Sequence, residues 1–418
     1  MKTLKIHLAE ITIAALFILW GYFLYAHSTG KTAEPEGVPY NNGWTCTIDG
    51  KRTEYRQLPD SIRLLGDTGE MILSRTLDDT ILYNNAIGFY TSHQFITAFL
   101  DGEEIYRFHV PDGARSKTPG NCWNFIRLHK AYAGKPLEIH IRNAYPSQAM
   151  RVPDFILGMK SEITVGQIRQ KLPALIISMI LLMLGLTLLV SWFSIGKKLH
   201  FSEVIQWIGL FSIQYSIWSV LESGIPIIMF GREVLFSQLI CISLKLMLLP
   251  MLCFLQVFFR MEENRAFNLL IRLSFLDFSI GFLGQLFGWF DYQQMMWITH
   301  ILAILTLAAV LFYGIQLLYK KRSKLFADRQ KAILNTIGIL LIIGCIIADA
   351  WNYLVARSPD GAVFSRFGCL AFVLIQTFHF LKDSVRLIAA GQEAESLREE
   401  AERDGLTMMK NRRTFEAT

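Results

Sequence analysis

The C-terminal part of the chain is a series of seven apolar runs, 172–195, 204–221, 234–259, 267–289, 295–319, 332–354 and 363–381. A helix rises about 1.5 Å per residue, so about twenty apolar residues match the roughly 30 Å of bilayer hydrocarbon. Lipid offers the backbone no hydrogen-bond partners, so each run must satisfy its own amides as a helix. The predicted fold class is therefore a multi-domain membrane protein built around a seven-helix bundle at 169–381. Composition agrees, with 52% hydrophobic and only 18% charged residues, outside the usual soluble balance. The formal charge of +6 is no sign of nucleic-acid binding, because the basic residues cluster at run ends: Lys197-Lys198, Arg260 with Arg265, and Lys320-Lys321-Arg322-Ser323-Lys324. The loops near Glu222, Asp291 and Asp360 are not basic. The positive-inside rule puts the basic loops and the C-terminus in the cytoplasm and the other loops outside. Trp192, Trp218, Trp289, Trp297 and Trp351 fall near run ends, as interfacial anchors do.

Upstream, Lys2 and Lys5 precede an apolar run at 11–25, short for a span and close to the core of a signal peptide. Residues 1–30 are expected to be a signal peptide or a signal anchor, with Ala26, Ser28 and Gly30 as small residues at candidate cleavage sites. Both readings export the segment that begins at Lys31. From 31 to 168 short alternating stretches are punctuated by turn residues, the pattern of a β-rich domain. Residues 95–100, Asp101-Gly102 and 105–110 read as a hairpin, because Asp-Gly supplies the positive φ angles of a tight primed turn. Leu137, Ile139 and Ile141 alternate with Glu138, His140 and Arg142, one face inward and one in water. Several such strands over this length predict an extracytoplasmic sandwich or jelly roll.

Candidate site residues are set by chemistry and compartment. Cys46 and Cys122 would share an oxidising compartment, and a bridge between them would contribute on the order of 3 to 5 kcal/mol in the chain-entropy model. Two buried free thiols are the alternative. Trp44, Tyr90, His93, His109, Trp123 and His140 are candidate contacts for a small extracytoplasmic molecule, carbohydrate included, since aromatic faces and imidazoles recur in such sites; a role in the β core is the other reading of each. Lys245 and Asp277 lie near the middle of successive apolar runs, where a lone charge costs a few kcal/mol. They could neutralise each other, as a static pair or as a switch between helix arrangements. Asp349 and Arg366 lie toward the outer ends of their runs and could meet beneath the β domain or snorkel to the interface. His300 could titrate near neutral pH. No metal-ligand spacing occurs, and no catalytic residue is assigned.

Beyond the last run, Leu387, Ala390, Ala394, Leu397 and Ala401 recur at spacings of three and four beside Glu393, Arg398 and Glu400. This marks 382–403 as a cytoplasmic helix with a short coiled-coil seam, or as a solvated amphipathic helix. The seam predicts a homodimer. The next stretch, Asp404-Gly405-Leu406-Thr407-Met408-Met409-Lys410-Asn411-Arg412-Arg413-Thr414-Phe415, resembles the opening of a GGDEF domain, D-x-L-T-G-L-x-N-R-R-x-F. Asp404, Leu406, Thr407, Asn411, Arg412, Arg413 and Phe415 match, while Met408 and Met409 replace Gly-Leu. The order of parts is similar to that of bacterial seven-transmembrane receptors with diverse intracellular signalling modules, of the GGDEF type. The resemblance implies that Asn411 contacts the guanine of GTP and that 404–418 begins a diguanylate cyclase, whose GTP and Mg²⁺ would be held by residues beyond Thr418.

These observations predict a receptor in the inner (cytoplasmic) membrane. It senses an extracytoplasmic ligand and relays it through the bundle to a cyclic di-GMP-forming module; residues 1–418 alone are not expected to catalyse that step. A transporter or channel with an accessory binding domain is the alternative, since mid-membrane charges also mark permeation paths. Against it, the runs show no internal repeat and only Pro250 breaks one. A third reading is a membrane-anchored adhesin or scaffold, for which a single helix would suffice.

Overall fold

The computed structural model describes residues 37–48, 51–55, 58, 69–79, 85–145, 152–194, 202–319, 326–352 and 361–402. The expected signal segment and the GGDEF-like stretch with Asn411 lie outside the described residues, as do Lys197-Lys198 and the basic cluster at 320–324. Among the described residues, ten strands precede eight α-helices.

The strands are β1 (Val38–Pro39), β2 (Trp44–Ile48), β3 (Lys51–Tyr55), β4 (Met71–Thr76), β5 (Asn85–Ser92), β6 (Gln94–Leu100), β7 (Glu103–Phe108), β8 (Asn121–Arg127), β9 (Pro136–Asn143) and β10 (Ile156–Met159). They form two antiparallel sheets, one in the order β1-β10-β5-β8 and one in the order β3-β2-β4-β9-β6-β7. The β6–β7 hairpin turns at Asp101 and Gly102, with φ of 52° and 82°; both central residues are left-handed, as a type I′ turn requires. In β9, between β4 and β6, Leu137, Ile139 and Ile141 are fully buried. They meet Ile87, Phe89 and Ile126 of the other sheet in one shared core. Alternation thus sends every second side chain into a core common to both sheets. Trp44 is part of it: its ring stacks on Phe155 at 4.4 Å and its indole N–H donates to the Tyr40 carbonyl at 2.8 Å.

The helices are α1 (Lys160–Ser194), α2 (Ser202–Glu222), the short α3 (Ile225–Phe230), α4 (Glu233–Phe258), α5 (Arg265–Phe287), α6 (Met296–Tyr319), α7 (Phe326–Trp351) and α8 (Val363–Glu402). Six helical segments are long and apolar enough to cross a membrane, and α7 supplies a shorter apolar stretch, Gly338–Trp351. The chain is therefore a multi-pass membrane protein. Both ends of the bundle join their neighbours directly. α1 starts at Lys160, inside the segment assigned to the β domain, and succeeds β10 without a loop. At the other end α8 runs unbroken from the last apolar run through 402, so the polar C-terminal segment is a continuation of that helix.

α1 and α2 cross closely because small residues face each other. A Cβ on Gly185 would fall 2.9 Å from the Gly209 carbonyl and 2.7 Å from Ile213 Cγ1. Four serines stitch the same crossing: Ser178 Oγ donates to Ser219 Oγ at 2.7 Å, Ser212 Oγ to the Leu181 carbonyl at 2.8 Å, and Ser216 Oγ to the Ser178 carbonyl at 2.6 Å. Small residues and hydroxyls are what hold helices together where lipid removes the hydrophobic drive. Gly185→Leu is expected to force the two helices apart and to lower stability by about 1–3 kcal/mol or more, read as a fall in the Tm of the protein in lipid nanodiscs; an unchanged Tm would contradict this packing.

Candidate functional site

Two polar centres stand out, one at the seam between β domain and bundle and one inside the bundle. The seam is organised by Asp291, a buried residue of the α5–α6 connection. Its Oδ2 accepts the backbone N–H of Lys117 at 2.7 Å and the Tyr145 hydroxyl at 2.6 Å, both from the β domain. Its Oδ1 accepts from Gln285 Nε2 of α5 at 3.4 Å. Asp291 also opens the turn Tyr292–Met295 through a reciprocal capping box with Gln294, the pairing that satisfies free N–H groups at a helix start. Gln285 in turn donates to the Arg115 carbonyl, and Arg115 donates to the Leu286 carbonyl. Gly120, at φ 87°, lets the strand lie against α4, since a Cβ there would fall 2.6 Å from Ser237 Cβ.

His93 belongs to the same seam. It is buried with φ 55°, its Nδ1 lies 2.9 Å from Thr118 Oγ1, and its ring centroid lies 5.9 Å from that of Tyr145. Burial lowers its pKa to about 4, partly opposed by the negative charge of Asp291. Burial also raises the Tyr145 hydroxyl, and Asp291 adds to that shift by accepting its proton in a hydrogen bond. At neutral pH the His93 imidazole and the Tyr145 phenol beside Asp291 are therefore both neutral.

The second centre joins three helices. Lys245 Nζ of α4 lies 2.8 and 2.9 Å from the two Asp277 oxygens of α5 and donates to Thr299 Oγ1 of α6 at 2.8 Å. Thr299 Oγ1 donates back to Asp277 Oδ2 at 2.7 Å. The side chains of Lys245 and Asp277 are 0% and 3% exposed. Gly281 gives the lysine room, since a Cβ there would fall 3.3 Å from Lys245 Cε. The sequence expectation named the two charges but not Thr299, which saturates both. Only eight residues separate Asp291 from Thr299, about 12 Å along a helical path. One continuous element, the turn and the start of α6, therefore carries both centres.

Asp349 and Arg366 also come near one another, with different principal partners. The Asp349 carboxylate accepts the N–H groups of Phe364 and Ser365 at 2.8 and 2.7 Å, capping the start of α8 from α7. Arg366, 2% exposed, donates through Nε to Ser219 Oγ at 2.8 Å, which joins α8 to the serine-bonded α1–α2 pair.

The remaining candidates separate. Cys46 and Cys122 are both free thiols, which corrects the expected bridge. Cys46 packs in the shared core from β2 of one sheet, whereas Cys122 lies on β8 of the other, at the seam near Glu233 of α4. Burial raises both thiol pKa values, that of Cys46 to about 11. Tyr90 and Trp123 are a cross-strand pair at 6.2 Å. His109 lies beside Phe95 and Thr97, and His140 between Glu70 and Glu138. Of the six aromatic and imidazole candidates, His93 lines a cavity of about 400 Å³ between the β domain and the bundle, to which His300 of α6 also contributes. Comparison with known proteins adds no relative: no family model, curated protein or solved structure matches the chain.

Removing one member of a buried pair leaves an uncompensated charge, so Lys245→Met is expected to destabilise the protein by about 3–5 kcal/mol. Lys245→Met with Asp277→Leu should recover most of that loss, measured by thermal unfolding in nanodiscs; a double variant no better than the single one would contradict the pairing. His93 gives a pH signature. Its folded pKa of about 4 lies below the reference 6.5, so its contribution to stability is complete above 6.5 and is lost as pH falls toward 4. At pH 5 the loss is about 2 kcal/mol. His93→Gln should remove this part of the pH dependence, and identical pH slopes for both proteins would contradict it.

Proposed function

We propose that the chain is a membrane sensory receptor. The β domain, read as a jelly-roll-type binder on the extracytoplasmic side, captures a small molecule; the bundle responds, and the response leaves along α8 toward a GGDEF diguanylate cyclase module opening at Asp404. The observation that carries this reading is Asp291: a buried bundle carboxylate whose hydrogen-bond donors include two from the β domain. A domain merely tethered to an anchor needs no such shared charge. The same segment runs on to the Lys245–Asp277–Thr299 centre, so displacement at the seam is felt in the middle of the bundle.

Further support comes from the two ends. The loop bearing Arg260 and Arg265 lies at the far end of α4 and α5 from the β domain, which agrees with a cytoplasmic placement of that loop. α8 is 40 residues long without a break, about 60 Å of continuous helix. Leu397 is 59% exposed near its end, where the heptad-like seam would pair two copies in a coiled coil and set the register of two cyclase domains.

The test joins residues 1–403 to an intact diguanylate cyclase domain and measures cyclic di-GMP in cells. Asp291→Ala is expected to change output about fivefold or more at equal membrane abundance, the range of an allosteric coupling of about 1–3 kcal/mol. Unchanged output would contradict the proposal.

A further inference from the structure

A groove of about 620 Å³ lies between α4 and α5 at the end of the bundle that meets the β domain, with part of its wall from the β7–β8 connection. Arg232, Leu235, Gln238 and Ile242 line it at spacings of three and four, the spacing of one helix face. Phe282 and Leu286, four apart on α5, line it from the other side. From Arg232 to Ile242 is ten residues, about 15 Å of helix. That is half of the roughly 30 Å of bilayer hydrocarbon, the depth of one leaflet.

The two ends of the groove differ in chemistry. Arg115, from the β7–β8 connection, and Arg232, which precedes α4, are both exposed. Arg115 donates to the Leu286 carbonyl, which holds its guanidinium at the groove. Arg232 has no charged side-chain partner among the described residues. The acid in the lining, Glu233, is engaged with the Cys122 thiol of the β domain. An anion at this end therefore meets two guanidiniums, whose planar forks of N–H donors match phosphate oxygens. The other end is apolar and open: Leu235, Phe282 and Leu286 are 44%, 44% and 47% exposed. A cationic mouth above an apolar track one leaflet deep is complementary to an anionic amphiphile, and a membrane-spanning chain is surrounded by such molecules.

We propose that this groove holds one anionic phospholipid of the leaflet on the β-domain side, its phosphate between Arg115 and Arg232 and an acyl chain along Leu235, Ile242 and Phe282. A zwitterionic headgroup would bring its own ammonium against the same two guanidiniums, so the site selects net negative charge. Gln285, in the same wall, donates to the Arg115 carbonyl and to Asp291 Oδ1. The bound lipid thus joins the β7–β8 connection, α4 and α5 around the hydrogen bonds that dock the β domain.

The test incubates the detergent-solubilised full chain with equal amounts of phosphatidylglycerol and phosphatidylcholine and counts bound lipid by native mass spectrometry. One phosphatidylglycerol per chain is expected to be retained in preference by about tenfold or more, since charge-assisted contacts separate the two lipids. Arg115→Gln with Arg232→Gln should abolish that preference. Gln238→Trp, which fills the groove and leaves both arginines in place, should do the same. Lys197→Gln with Lys198→Gln removes equal charge at another run end and should leave it intact. In nanodiscs the wild type should have a higher Tm in phosphatidylglycerol than in phosphatidylcholine, and both groove variants should lose that difference, whatever their absolute Tm. Equal retention of the two lipids by the wild type would overturn the site, as would equal losses in the groove and lysine variants. The same gain in Tm from glycerol 1-phosphate in phosphatidylcholine nanodiscs would also overturn it, by showing that a free phosphate suffices. None of these readouts involves a cyclase, so their failure leaves the sensory reading to the Asp291 variant.

Discussion

A charge removed from water must be met by an opposite charge or by several hydrogen bonds, at a cost of several kcal/mol if it is not. Lys245 and Asp277 meet this demand with each other and with Thr299. Asp291 meets it by drawing donors from α5 and from two places in the β domain. Satisfying that second carboxylate requires the β domain to sit where it does, because Lys117 and Tyr145 are 174 and 146 residues away in sequence. The position of one domain on the other is thus set by the same electrostatic requirement that orders the interior of the bundle.

The covalent connection reinforces this arrangement. β10 passes into α1 with no intervening residue, and Ile163 of the first turn of α1 is fully buried against Gly88 of β5. Motion of the four-stranded sheet is therefore motion of α1. α1 bonds to α2 through Ser178 and Ser219, and Ser219 receives Arg366 of α8. The covalent junction and the Ile163 packing thus link the β domain to α1, and the Ser178–Ser219–Arg366 hydrogen bonds continue that link to the helix that carries the C-terminal segment, alongside the path through Asp291 and Thr299. Packed helices joined in this way settle into discrete arrangements rather than deforming smoothly.

Much of this was legible from residue order alone, because hydrophobic periodicity reports local structure. The apolar runs, the Asp101-Gly102 hairpin and the alternation at 137–141 all depend on neighbours in sequence, and the helices, turn and strand occur there. Lys245 and Asp277 were visible as charges in apolar surroundings. What stayed hidden depends on distant contacts. Asp291 looked like an ordinary loop acid, although Asp291 and Gln294 carry the spacing of a capping box. Nothing local announces Lys117 or Tyr145 as its partners. The expected Cys46–Cys122 bridge failed for the same reason, since compartment allows a disulfide but only tertiary placement brings two thiols together. The α1 start at Lys160 falls inside the stretch assigned to the β domain because residues 160–171 are too polar to extend the apolar run that begins at Leu172; Ile163 of that first turn is buried.

The central claim is that the segment from Asp291 to Thr299 makes the seam and the ion-pair centre one coupled unit. A double-mutant cycle with Asp291→Asn and Thr299→Val, read by thermal unfolding in nanodiscs, tests it most directly. Thr299→Val keeps the shape and removes the hydroxyl shared by Lys245 and Asp277. Independent sites at this separation add within about 0.3–0.5 kcal/mol. Coupling predicts a departure from additivity of about 1 kcal/mol or more. Strict additivity would mean that the β domain is docked on the bundle without being connected to its interior, and would contradict the account.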